Sequence, residues 1–284
     1  MNNIFIKQNT LENQRLVVTQ HFIYKRAKIF VFLLFLVSVV IPFAFNIALI
    51  WINNILISAS FSFISICLVI VCELLKAYIV KLKYNAALVQ QKFDTIVFEM
   101  NNIFCFKEDV IDYYLEKYKN KNWSRKNNWY PDYGKMNKNE AVFYCQKENV
   151  DWTNNLSYKF IVSLIMCIIF MIVVIIINLI FSNGTVVDIV TLFVIAMPLF
   201  AYTCSGIVKI INDHSLLTNL KKFFDQIDCL IQNKVKIESS MLENLQWMIF
   251  CFRQNQYLIP DWFEVLFHNK LLNSEKIKVK RRNM

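Results

Sequence analysis

From Ile29 to Cys72 the chain carries no charged residue, a run of 44 positions. One helix of that length would reach about 66 Å, roughly twice the hydrocarbon core of a bilayer. The run therefore predicts two crossings, Ile29–Ile52 and Ile55–Cys72, turned at Asn53-Asn54. The pattern returns at Phe160–Phe181 and Val186–Val208, joined by Ser182-Asn183-Gly184-Thr185 and interrupted only by Asp188 near the turn. Ile29 follows a 28-residue polar leader, and the first apolar segment is too long and lacks the small-residue cleavage site of a signal peptide.

Beyond each hairpin the pattern changes to an amphipathic one. After the second crossing Leu75, Ile79, Leu82, Ala86, Val89, Phe93 and Ile96 alternate at spacings of four and three. After the fourth, Ile210, Leu217, Leu220, Phe224, Ile227 and Ile231 follow nearly the same rhythm. Such seams suit helix-to-helix packing, so both crossings are expected to continue as cytoplasmic stalks. The crossings start at Ile29 and Phe160, and at Ile55 and Val186, a constant offset of 131 that also relates Phe93-Asp94 to Phe224-Asp225. Tyr130-Pro131-Asp132-Tyr133 and Ile259-Pro260-Asp261-Trp262 form a looser pair. The expected fold is an all-α membrane protein: two transmembrane hairpins, four crossings, related as a parallel internal repeat. Its segments are a leader (1–28), a hairpin (29–72), a stalk and sensor segment (73–159), a second hairpin (160–208), and a stalk with a C-terminal segment (209–284).

Charge sets the orientation. All 31 Lys and Arg residues fall in the leader, the central segment and the C-terminal segment, including Lys209 at the inner end of the fourth crossing. The tight turns hold none, so both termini and the central segment are expected in the cytoplasm. The net charge of +10 suits attraction to anionic lipid, and equally an anionic ligand. The three glycines, Gly134, Gly184 and Gly206, lie too far apart for a dinucleotide or P-loop turn. Eight cysteines show no CxxC spacing and His21, His214 and His268 have no ligand neighbours, so neither a metal site, a cofactor nor an enzyme is expected.

The candidate chemistry lies between the halves. Trp123, Arg125, Lys126, Trp129, Tyr130, Asp132 and Tyr133 crowd eleven positions, followed by Gln146, Asn149 and Trp152. Aromatic faces stack bases, cations meet phosphates and amides read base edges. The same mixture suits an interfacial belt. Arg253 is available to an anion or a carboxylate, Asp132 reads as a turn residue, and Asp261 with Glu264 reads as a capping pair. Ser58, Ser62 and Ser65 share one face of the second crossing, for close packing or for a pore lining.

Several blocks together resemble the SMODS-associating four-transmembrane effector family of bacterial anti-phage systems (CBASS-type), which signal through cyclic oligonucleotides. They are Gln8-Asn9-Thr10-Leu11-Glu12-Asn13, the later Tyr24, Ala27 and Lys28, Gln91-Lys92-Phe93-Asp94-Thr95-Ile96-Val97-Phe98, Trp129-Tyr130-Pro131-Asp132, Cys145-Gln146-Lys147-Glu148-Asn149 with Trp152 and Leu156, and Ile259-Pro260-Asp261-Trp262-Phe263. Thr153 and Ser157 depart from that pattern, where an acid and an arginine are expected. The resemblance implies a non-enzymatic effector. It would sense a cyclic oligonucleotide made by a partner nucleotidyltransferase and permeabilise the membrane as a homo-oligomer, with no DNA or RNA polymer as ligand. Arg125, Lys126, Trp129, Tyr130, Gln146, Asn149, Trp152 and Arg253 are then the candidate ligand contacts. Phe93, Asp94, Phe224, Asp225, Asp132, Asp261 and the three serines are candidate structural or gating residues. The competing expectation is a constitutive membrane scaffold or channel accessory without a nucleotide. Cysteines placed at Asn2 and Asn283 should react with membrane-impermeant thiol reagents only after lysis. Labelling in intact cells would overturn the orientation.

Overall fold

The computed structural model describes residues 3–52, 54–100, 107–134, 136–181 and 185–259. Every regular element among them is helical: α1 (Ile4–Gln8), α2 (Leu11–Phe35), a π turn (Leu36–Val40), α3 (Ile41–Trp51), α4 (Ile55–Phe98), α5 (Glu108–Lys117), α6 (Lys138–Phe181), α7 (Val186–Gln232) and α8 (Ser239–Asn255). The helices do not stop where the apolar runs stop. Helix α2 begins at Leu11 and α6 at Lys138, well before the first residues of their apolar stretches. Helices α4 and α7 have 44 and 47 residues, about 66 and 70 Å at 1.5 Å per residue, so each crosses a bilayer and projects some 30 Å beyond it.

Local signals account for the ends. Asn54 caps α4, its side-chain oxygen accepting from Leu56 N at 2.9 Å and Ile57 N at 3.4 Å. Asn53, the other half of the expected turn, lies outside the described residues. Asp188 closes a capping box at the start of α7: its carboxylate accepts from Thr185 N and Oγ1, and its own N–H donates to Thr185 Oγ1. Its charge therefore sits at the helix N-terminus, where the dipole favours it. The π turn lies directly before Pro42, whose ring cannot accept a regular i−4 ladder, and carries α2 into α3 without a break.

A ladder of contacts sets the segment from α1 through α2 to the π turn antiparallel to α4: Ser38 Oγ and Cys72 Sγ at 3.1 Å, Phe30 edge-on to Tyr78, Tyr24 OH donating to Gln90 Oε1, and Lys7 paired with Glu99. The stalk seams pack within the chain, with Ile79, Leu82, Ala86, Val89 and Phe93 buried on α4 and Ile210, Leu217, Leu220, Phe224 and Ile227 on α7. Ile96, expected to close the first seam, is instead exposed, and Val97 and Phe98 are buried in its place. A straight helix drifts about 20° per heptad against a seven-residue repeat, so three heptads after Leu75 the next residues face the core. From Leu82 to Thr95 almost every side chain of α4 is buried, because α2, α7 and α8 surround it.

The repeat extends beyond the spans. Helices α5 and α8 begin at Glu108 and Ser239, again 131 apart. Both stalks end alike, with Met100 N donating to Thr95 O at 3.0 Å and Val235 N to Leu230 O at 2.9 Å, around left-handed residues Glu99 (φ 55°) and Lys234 (φ 57°). This is the Schellman closure, which usually employs glycine. Replacing exposed Lys234 with Gly should therefore raise stability by up to about 1 kcal/mol, since a left-handed L-residue costs about 1–2 kcal/mol and glycine's extra chain entropy returns part of it. Thermal unfolding in detergent checks this; an unchanged or lower Tm contradicts it.

Candidate functional site

The cytoplasmic layer is organised around one carboxylate. Asp94 has no exposed surface, and a buried carboxylate needs several donors to remain charged. Arg253 on α8 supplies Nη1 at 2.5 Å to Oδ2, Gln246 on the same helix supplies Nε2 at 2.9 Å to Oδ2, and Tyr130 supplies its hydroxyl at 2.6 Å to Oδ1. Asn149 on α6 donates to that tyrosine oxygen at 2.9 Å. A chain of amides extends the network: Gln146 Nε2 donates to Leu242 O and to Gln246 Oε1, and Gln246 Nε2 donates onward to Gln91 Oε1 at 2.8 Å. The amide orientations follow from Asp94, which only accepts.

The site electrostatics follow from this burial. Burial and the Asp94 charge hold the Tyr130 hydroxyl well above its ordinary range, so it remains a donor. Tyr24 is pushed up to about 12 by burial, with Arg253 pulling against Asp94. Burial, the largest influence, would lower Arg253, but the Asp94 carboxylate together with Tyr130 and Tyr24 outweighs it and raises the guanidinium above its ordinary value.

The leader pins the loop that carries Tyr130. Gln8 Nε2 donates to Tyr130 O at 3.0 Å and Gln8 Oε1 accepts from Tyr130 N at 2.7 Å. Asn9 does the same for Asn128, through Asn128 N at 3.1 Å and the paired side chains at 3.0 Å. Asn128 is left-handed (φ 56°), a conformation asparagine tolerates. Asp132 Oδ1 accepts from Gly134 N at 2.8 Å, an Asx turn, and a Cβ on Gly134 would press against that oxygen at 3.1 Å. Glu99, held down to about 2 by Lys138 and Lys7, fastens α1, α4 and α6 together at the layer's edge.

A family model described as the SMODS-associating 4TM effector domain matches residues 2–278. The chain belongs to that family. No curated protein and no solved structure matches. The leader block and the Trp129–Asp132 block of this 4TM effector, remote in sequence, are thus two sides of one pinned corner.

The sequence-derived residues divide. Tyr130, Gln146, Asn149 and Arg253 come together in the network, each already holding a protein partner. Arg125 is exposed and Lys126 half-buried on the loop above. Trp129 is half-buried beside Trp123 at 6.0 Å, and Trp123 stacks on His21 at 4.0 Å. The Trp152 side chain and Asp261 lie outside the described residues. Phe93 stacks near Tyr130, Phe224 meets Phe143 edge-on, and Asp225, unlike Asp94, is exposed. The hydroxyls of Ser58 and Ser62 return to carbonyls four residues back, while Ser65 is fully buried. The sequence assigns no role to Gln8, Tyr24, Gln91 and Gln246; the family blocks contain the first three, with no spacing to reveal their partners. Among the described residues no His, Cys, Asp or Glu cluster suits a metal.

A second joint lies nearer the membrane. Lys83 is buried and donates to Asn255 O at 3.2 Å and Gln256 O at 3.0 Å, closing the C-terminus of α8. Tyr257 N donates to Asp213 on α7 at 2.8 Å, and Tyr257 and Tyr202 share a 2.8 Å hydroxyl contact. Burial and the like charge of Lys209 lower Lys83 to about 7, with Asp213 opposing. Between about pH 7 and 10 the unfolded chain keeps a proton that the folded chain has released, so this group makes stability rise with pH. Lys83→Met should flatten that part of the stability profile relative to wild type; parallel profiles would contradict it. Arg253→Ala should cost about 3–5 kcal/mol by leaving Asp94 buried and unpaired, whereas Asp94→Leu/Arg253→Met together should recover most of the loss. Unfolding midpoints in detergent distinguish the two.

Proposed function

We propose that this 4TM effector senses a cyclic oligonucleotide on the cytoplasmic side of the bacterial inner membrane and permeabilises that membrane as a homo-oligomer during anti-phage (CBASS-type) defence. The family match over nearly the whole chain carries this reading, and the family's name links it to a SMODS nucleotidyltransferase that would supply the ligand. Physical features support it. Three described helices are long and apolar enough to cross a bilayer, and the Ile168–Ile177 stretch of α6 is apolar too. Both termini and the central segment are assigned to the cytoplasm on the one-sided Lys and Arg distribution.

We assign the ligand contacts to Arg125 and Lys126 for phosphates and Trp129 for bases, on the loop that carries Tyr130, with Trp152 of α6 as a further base contact. Tyr130, Gln146, Asn149 and Arg253 respond behind them. Because those four are joined through Asp94 and Gln246, a ligand that moves the 121–134 loop is felt at once by α4, α6 and α8. Four helices with tight turns enclose no useful pore, so opening requires several subunits. The ligand must favour the open assembly by about 5.5 kcal/mol to carry it from 1:99 to 99:1.

Purified protein in dye-loaded liposomes, challenged with a panel of cyclic di- and trinucleotides, tests this. Rapid leakage with one member and none without ligand is expected. Trp129→Ala should weaken that response about 5- to 150-fold, corresponding to about 1–3 kcal/mol of lost stacking. Leakage indifferent to every nucleotide, or none at all, would favour a constitutive scaffold.

A further inference from the structure

The membrane half of the first hairpin holds a polar interior that packing does not explain. Ser38 of the π turn and Cys72 of α4 meet at 3.1 Å. Eight residues outward from Ser38 is Asn46, and seven outward from Cys72 is Ser65. The stacked rings of Phe45 and Phe61, 4.3 Å apart, hold α3 against α4 at the same level. This register sets Asn46 and Ser65 within about one helical turn in depth. Neither has any exposed surface.

Both present unanswered oxygen. Asn46 Nδ2 donates to Pro42 O at 2.9 Å, which fixes the amide and turns Oδ1 the other way, with no partner among the described residues. Ser58, Ser60 and Ser62 return their hydroxyls to carbonyls four residues back, but Ser65 Oγ has no partner among the described residues. In hydrocarbon an unsatisfied polar atom costs several kcal/mol, so such atoms line water or an ion route when they persist. A stripe of serines could be mere close packing. A fully buried asparagine oxygen is not explained by close packing.

We propose that Asn46 and Ser65 mark the permeation path, holding water inside each subunit at rest and, once the subunits rearrange so that this interior lines their shared pore, passing monovalent cations in preference to anions. The chemistry sets the selectivity. With the Asn46 amide hydrogen engaged at Pro42, the atoms left are oxygen lone pairs, which replace water around a cation and repel an anion. No Lys or Arg lies in the apolar runs of either hairpin to reverse that preference. This inference rests on the proposed permeabilising function and names its route.

The test uses the full chain in planar bilayers across a potassium chloride gradient, with the cyclic-nucleotide panel applied on the cytoplasmic side. Reversal potentials should lie toward potassium, Asn46→Asp should move them further, and Asn46→Leu should remove most of the current. Ser65→Cys, nearly isosteric, should become blockable by a cationic methanethiosulfonate only while nucleotide is present, in a chain whose Cys67 and Cys72 are Ser. The parent chain treated identically is the control. Nucleotide-driven current that is anion-selective, or that Ser65→Cys leaves unblockable, overturns the route alone. No current with any nucleotide overturns both the route and the permeabilising function.

Discussion

A carboxylate sealed inside a helical bundle dictates what must surround it. Asp94 stands where α4 has left the membrane and become a stalk, and keeping its charge there requires donors from several directions. Arg253 and Gln246 bring α8, Tyr130 brings the central loop, and Asn149 brings α6. Gln8 then joins the leader through the Tyr130 backbone. Elements separated by as many as 159 positions are thereby required to assemble together. An apolar contact could be repacked gradually, whereas a buried ion pair is either made or broken. That property would suit the two-state layer that the proposed sensing function requires.

The repeat shows how such a centre arises from a symmetric plan. Phe93 and Phe224 are both buried, at equivalent positions, and both stalks close with the same left-handed turn. The following aspartates diverge. Asp94 meets Arg253 of the opposite half, but the position equivalent to Arg253 in the first half is Asn122. With asparagine standing where Arg253 stands in the other half, Asp225 lies at the surface. One half thus keeps the charged centre while the other keeps only its apolar frame.

Legibility followed periodicity. The hairpins, the stalk seams and the 131-residue offset were readable because apolar residues repeat at helical spacing and uncharged runs have a physical length. Asn54 was readable as a turn residue. Asp188 looked like a blemish because its role depends on Thr185 three residues earlier, a capping signature visible in the sequence but overlooked. Ile96 failed because a heptad rule was applied to a straight helix. The glutamines were not legible. Gln91, Gln146 and Gln246 bear no charge, follow no period and find partners about 100 and 155 residues away. Arg253 was recognised as seeking an anion or a carboxylate; only the fold identifies that carboxylate as Asp94.

One buried charge holds α1, the 121–134 loop and α8 in register against α4. Hydrogen exchange of Asp94→Asn against wild type, both in lipid nanodiscs, addresses it directly, because the substitution preserves shape and removes the charge. The account predicts that α1, the 121–134 loop and α8 lose protection together while the membrane halves of α4 and α7 keep theirs. Protection lost only in the turn of α4 around residue 94, with α1, the loop and α8 unchanged, would contradict it.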